Sequence, residues 1–257
     1  MCYDIKASLE AQLNRAKRSG DKKAVEEIIE ELVPLTDLPL HHVSGFTHPK
    51  LLIYTDRSPN FPEVSSWGLA PHWVKDSARL NKLWNNTLNA RGETIFEKPS
   101  FREAAKNSRC IINIDGFYEH HHFKGKTYPF FIQSKDQSPI ALAGLWSEWY
   151  DHETKTVLNT FAIVTTTGNS MMAKIHNNPK LKGPRMPVIL PTQLEDQWLN
   201  PVHDNLDKQQ LATLISALPE NELEAYTVGE LRGKEYKGNI PEISNKVDYE
   251  ELVFSGH

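Results

Sequence analysis

The chain has 257 residues, 39% of them hydrophobic and 24% charged, a water-soluble globular composition that is long enough to bury a core without staples. Its formal charge of −4 and pI near 6.3 exclude a protein that coats nucleic acid through bulk positive charge, while leaving room for a local basic groove. Cys2 and Cys110 lie far apart, the N-terminus has neither a basic nor an apolar leader pattern, and no apolar run approaches ~18 residues, so a reduced, cytoplasmic chain without disulfide or membrane span is expected.

Residues 7–33 carry two helical patterns, Leu9, Leu13 and Ala16, then Ala24, Val25, Ile28, Ile29 and Leu32. Ser19-Gly20-Asp21 separates them, with Asp21 placed to cap the second. From about 37 to 80, Pro39, Pro49, Pro59, Pro62 and Pro71 punctuate short apolar runs, which predicts short strands and ordered loops, with His41-His42 in a plain loop. Residues 110–114, 128–133, 140–146 and 157–167 are β-branched and aromatic runs that read as strands, with Lys124-Gly125-Lys126 as a hairpin tip. Two late helices follow, one opened by the capping box Thr192-Gln-Leu-Glu195, the other carrying Leu211, Leu214, Ile215 and Leu218. The pattern predicts one α+β domain on antiparallel sheet, its helices peripheral, with 7–33 as a helical insertion and 229–257 packed on the domain.

The chemistry begins at residue 2. A small side chain after Met1 permits removal of the initiator, which would leave Cys2 as a 1,2-aminothiol with an amine titrating near roughly 8 and a thiol near roughly 8.5. Such a pair attacks an aldehyde with nitrogen and then closes a five-membered thiazolidine with sulfur. The alternative is a cysteine there by chance, frayed in solvent.

Trp67-Gly-Leu-Ala-Pro-His-Trp73 and Asn89-Ala-Arg-Gly-Glu93 combine a stacking face, an amide and a guanidinium two residues apart on an extended segment, suited to an unpaired base and a phosphate. A core tryptophan and a surface Arg91–Glu93 ion pair would explain the same residues. Glu119 follows an apolar strand and Gly116-Phe-Tyr, where desolvation would raise its pKa toward the range of proton transfer, unless it is simply solvated. His120, His121 and His122 cannot all face one ion from a strand, so no metal site is expected. Between Thr154 and Leu194 stand Lys155, Lys174, Lys180, Lys182, Arg185 and His176 with no acid. That makes the surface beside Gly168-Asn169-Ser170 a phosphate-contact candidate or a solvated face.

In order, Met1-Cys2, Trp67 to Trp73, Asn89 to Glu93, Arg109-Cys110, Gly116-Phe-Tyr-Glu119, Ala143-Gly-Leu-Trp146, Thr165-Thr-Thr167, His176 and Arg185-Met-Pro187 closely resemble the SOS response-associated peptidase family, also called abasic-site processing proteins. The resemblance spans nearly the whole chain. It implies a single domain of antiparallel sheets around a barrel-like core with peripheral helices, acting as a monomer without cofactor on single-stranded DNA that contains abasic sites. By the same resemblance Cys2 is the nucleophile, Asn89 holds the N-terminal residue, Glu119 is the acid/base that orients the amine, and His176 shuttles protons during ring opening and Schiff-base chemistry. Arg91, Trp67, Trp73 and Arg185 are its expected DNA contacts, and the peptidase label describes removal of Met1. The chain departs from the family pattern where Tyr3-Asp4 replace Gly-Arg, where His120 replaces Trp, and where 177–184 separates His176 from Arg185. Competing classes are a cysteine-type peptidase acting on other proteins and a non-catalytic single-strand binding module.

Overall fold

The computed structural model describes residues 2–252; Met1, with its expected removal, and residues 253–257 of the C-terminal segment lie outside the described residues. The strands are β1 (Asp4–Ala7), β2 (Leu40–Ser44), β3 (Lys50–Thr55), β4 (Glu63–Trp67), β5 (Asn89–Arg91), β6 (Arg109–Ile114) and β7 (Gly116–Phe123). They continue with β8 (Lys126–Ser134), β9 (Ile140–Asp151), β10 (Thr156–Thr167), β11 (Arg185–Pro187), β12 (Ile189–Leu190) and β13 (Leu223–Thr227). The α-helices are short: α1 (Leu9–Gln12), α2 (Asn14–Arg18), α3 (Lys22–Glu27), α4 (Ser77–Leu83), α5 (Arg102–Asn107), α6 (Ser170–Ile175), α7 (Glu195–Leu199) and α8 (Asn205–Thr213).

β6 is buried along its whole length, Arg109 and Asn113 included, which is why its residues do not alternate between apolar and solvent-facing polar ones. Its Ile112 and Ile114 face one way, clustering with Ile5, Phe117 and Ile132, while Ile111 faces the other way with Ala143, Ala162, Leu13 and Trp198. The strand thus divides a core shared by the two sheets from a layer covered by helices. Because β10 pairs with both β4 and β9, the strands β10, β4, β3, β6 and β9 close into a five-stranded barrel. The second sheet, in the order β13-β8-β7-β1-β2, is antiparallel throughout. β10 departs from the expected antiparallel arrangement by pairing in parallel with β4 and β5, which the long connections through residues 68–155 permit.

Arg109 is fully buried and makes no ion pair among the described residues; it donates to the carbonyls of Ala105, Lys106, Trp198 and Asn200, closing the C-terminal ends of α5 and α7. The late helices differ in detail from expectation. Glu195 does not fold back as a capping box, because its carboxylate is 2% exposed and held by Arg15 at 2.6 Å and Arg18 at 2.5 Å, which pins the N-terminal helices to α7. α8 ends before Leu214. Asp21 does cap α3, accepting the Ala24 amide at 3.0 Å. His42 is no loop residue: it lies in β2, is buried, and bonds Asp4 at 3.2 Å and the Tyr236 hydroxyl at 2.8 Å, while Arg232 reaches Asp4 at 2.9 Å. In the C-terminal part, Leu231 and Ile243 pack on Tyr118 and Phe131 of the antiparallel sheet.

β6 and β9 approach closely at Gly144, where a methyl group would overlap Ile112 Cδ1 and lie 2.7 Å from Cys110 Sγ. Gly144→Ala is therefore expected to lower stability by about 1–3 kcal/mol through overpacking, read as a lower urea midpoint at unchanged slope. An unchanged midpoint would mean that β6 and β9 are not in rigid contact there.

Candidate functional site

β1 places the N-terminal residues. Asp4 pairs with Tyr118 and Ile5 with Phe117 in an antiparallel register that runs Tyr3 and Cys2 alongside the next residues of β7, beginning with Glu119. The other side is set by β5, whose Asn89 stands opposite Ile163 of β10 and donates from Nδ2 to the Cys2 carbonyl at 2.8 Å. The Asn89 Oδ1 atom is buried and has no hydrogen-bond partner among the described residues, so one acceptor points into the site unused. Cys2 is 1% exposed, and its thiol pKa is raised, first by burial and further by the nearby negative charges of Glu119 and Asp4.

Glu119 and His176 complete the group. Glu119 lies within β7 and is buried; Oε1 accepts the His120 amide at 3.0 Å, and desolvation raises the carboxyl above its ordinary value. His176 closes the C-terminal end of α6, a helix started by Asn169, whose Oδ1 accepts the Met172 amide. Its Nδ1 accepts the Arg185 amide at 2.9 Å, which leaves the proton of the neutral ring on Nε2, and Nδ1 lies 3.9 Å from Glu119 Oε2. Burial pushes His176 down to about 4, so it is neutral at pH 7. Burial thus moves both groups of this facing pair toward their uncharged forms.

Two depressions meet at Tyr3. A cavity of about 520 Å³ is lined by Tyr3, Asp4, Glu119, His120 and His176. A groove of about 340 Å³ on the other side is lined by Tyr3, Asn89, Arg91 and Lys98. Arg91 is exposed, and its side chain makes no hydrogen bond or ion pair among the described residues, so its guanidinium is available. Trp73 is half-buried beside this groove, donating to the carbonyl of Pro99, a groove residue, at 3.2 Å, with Arg79 over its ring.

Two of the expected DNA contacts sit elsewhere. Trp67 is fully buried, donates to the Leu88 carbonyl at 2.8 Å and lies parallel to Phe161, so neither face of its ring is open to a base. The Arg185 guanidinium is spent on a bidentate pair with Glu93 at 2.5 and 2.9 Å and on Thr165, so it fastens β11 beside the Arg91 segment instead of facing solvent. The Arg91–Glu93 pair does not form for the same reason. The Gly168-Asn169-Ser170 turn is also occupied internally, with Asn169 bonded to Leu218 and Ser170 to Glu220. Sequence reasoning missed Tyr3, the wall common to both depressions, and the buried Asp4–His42 pair; nothing in local composition marks either.

Residues 21–234 match the family model described as SOS response associated peptidase (SRAP). The abasic site processing protein YoqW of Bacillus subtilis (strain 168) is 39% identical over 194 residues, covering 75% of this chain and 80% of that protein. The abasic site processing protein HMCES of Pongo abelii is 27% identical, covering 95% of this chain and 76% of that protein. A crystal structure of a protein from Bacteroides thetaiotaomicron superposes with a TM-score of 0.81 at 33% identity over 96% of this chain and all of that one.

The depressed His176 has a measurable signature. Between the unfolded value of 6.5 and the folded value of about 4, the unfolded chain binds a proton that the folded one does not. Stability from this group is thus full above 6.5 and lost as pH falls toward 4. Imidazole ¹⁵N spectra are expected to show His176 as the Nε2–H tautomer at pH 7; a midpoint near 6.5 in the folded protein would contradict its burial against Arg185.

Proposed function

The chain belongs to the SOS response associated peptidase family, and from that footing we propose that it binds single-stranded DNA and captures abasic sites covalently through Cys2 once Met1 has been removed. The observation that carries this reading is the clasp of the Cys2 carbonyl by Asn89 beside the cavity of Glu119 and His176. The chemistry follows from the electrophile. An abasic deoxyribose opens to a C1′ aldehyde; the Cys2 amine adds to that carbon, water leaves, and an imine forms. The thiol then adds to the same carbon, its proton passes to nitrogen, and the thiazolidine closes with no change of oxidation state. Aldehyde and aminothiol need no metal or cofactor for these steps.

Glu119 suits the proton transfers at nitrogen, since the register of β1 on β7 sets it beside the N-terminal residues and burial favours its protonated form. His176 offers Nε2 to the ring oxygen as the sugar opens, its Nδ1 being occupied by Arg185. The free acceptor Asn89 Oδ1 suits a donor on the incoming sugar or the released amine. Removal of Met1 is hydrolysis of one amide: water adds to the Met1 carbonyl carbon, the bond to the Cys2 nitrogen breaks, and that nitrogen takes a proton. Arg91 supplies a phosphate contact, and Trp73, beside the same groove, offers aromatic surface. We place this activity in the cytoplasm, on the nucleoid when DNA-bound, with the protein acting as a monomer.

Mass spectrometry of the protein mixed with a single strand containing one abasic site is expected to show the chain without Met1 plus the DNA, less one water. Cys2→Ala should give only a borohydride-trappable imine, an irremovable N-terminal tag should give no adduct, and Cys110→Ser should keep the adduct. Glu119→Gln and His176→Ala should each slow capture by roughly 10²–10⁴-fold while binding survives. An adduct formed with the tag intact would overturn the assignment of the nucleophile.

A further inference from the structure

The loop 177–184 is not used by the mechanism above, yet it is built onto the site. It leaves the chain at His176 and returns at Arg185, and the Arg185 amide bonded to His176 Nδ1 closes its neck at 2.9 Å. Its first residue is fastened to β7, because the Asn177 amide accepts the His122 N–H at 2.7 Å and donates to the His122 carbonyl at 3.0 Å. The loop therefore holds a fixed place relative to Glu119, three residues earlier on the same strand. Asn178 and Leu181 line the same cavity as Glu119 and His176, and Leu181 is 41% exposed, a large apolar side chain left half in solvent at its rim.

On either side of Leu181 stand Lys180 and Lys182, both exposed, with no side-chain ion pair or hydrogen bond among the described residues. No acid occurs from Thr154 to Leu194, so the loop is purely basic. Across the cavity the carboxylates are Asp4, Glu119 and Glu230, of which Asp4 is already paired with Arg232 and His42. Tyr3 separates this cavity from the groove of Arg91, so a strand lying in the groove and passing Tyr3 enters under the loop.

We propose that the loop 177–184 is a second grip on the DNA strand: Lys180 and Lys182 bind phosphates on the side of the lesion away from Arg91, and Leu181 fills the space left by the missing base. The proposal rests on the reading of this chain as a binder of abasic single strands. It assigns the two lysines to affinity for any sequence, since phosphates carry no base identity. It assigns Leu181 to discrimination, since an apolar side chain is welcome only where a base is absent.

The test uses fluorescence anisotropy with the full chain and two labelled single strands, one intact and one carrying a tetrahydrofuran abasic analogue, which cannot open to an aldehyde and so reports binding without capture. Lys180→Ala/Lys182→Ala should weaken both strands about equally, by roughly tenfold, and lower the salt slope by about 1.4, as expected for two phosphate contacts on a single strand. Leu181→Ser should leave affinity for the intact strand unchanged and erase the preference for the tetrahydrofuran strand. The loop proposal is overturned if the lysine pair changes neither affinity nor salt slope while Arg91→Ala weakens binding. It is overturned for Leu181 if Leu181→Ser affects both strands alike or neither. If the unaltered protein binds no single strand, or Arg91→Ala binds as well as it does, the DNA-binding reading falls and takes the loop with it.

Discussion

The structure depends on converting a chain terminus into a central strand. Terminal residues ordinarily fray because they have few neighbours to repay their ordering entropy. Here residues 4–7 are hydrogen-bonded on both sides, to β2 and β7, with Ile5 and Ala7 wholly buried and the side chain of Lys6 bonded to Ser244. Cys2 is held in place by the strand that follows it and by the one amide, Asn89, that reaches its carbonyl. Burial of Asp4, Ile5 and Ala7 in β1 thereby fixes the direction of the residues that precede them.

The electrostatics of the site follow from the same burial. Desolvation raises Glu119 and lowers His176, so both move toward their uncharged forms although they face one another at 3.9 Å. Burial thus opposes their settling into a charged pair. Arg185 contributes through its backbone, whose amide fixes the His176 tautomer, and its side chain locks that backbone to Glu93 and Thr165. The cationic group that the sequence offers to DNA is thereby invested in geometry.

Cys2, Asn89, Glu119 and His176 each sit in a short motif visible in the sequence, and the structure brings the four together. The strands at 110–114, 128–133, 140–146 and 157–167 were legible because β-branched and aromatic runs fill buried sheet. What was not legible depends on partners far along the chain. Nothing near Glu195 shows that Arg15 and Arg18 claim it, nor does anything near Arg185 show that Glu93 does. Trp67 could have lain on either face of its strand; its Nε1 bond to Leu88 and the packing of Phe161 settle it inward.

The buried Asp4 joins the first strand to residues that come last. Its carboxylate is shared between His42 and Arg232, His42 in turn meets Tyr236, and Leu231 and Ile243 cover the sheet in which β1 lies. During synthesis Arg232 and Tyr236 emerge from the ribosome more than two hundred residues after Asp4 does, whereas His42 follows it by 38. The residue made almost first is therefore among the last to find its full surroundings, and the strand that carries the N-terminal residues gains this anchor only once the C-terminal segment has been made.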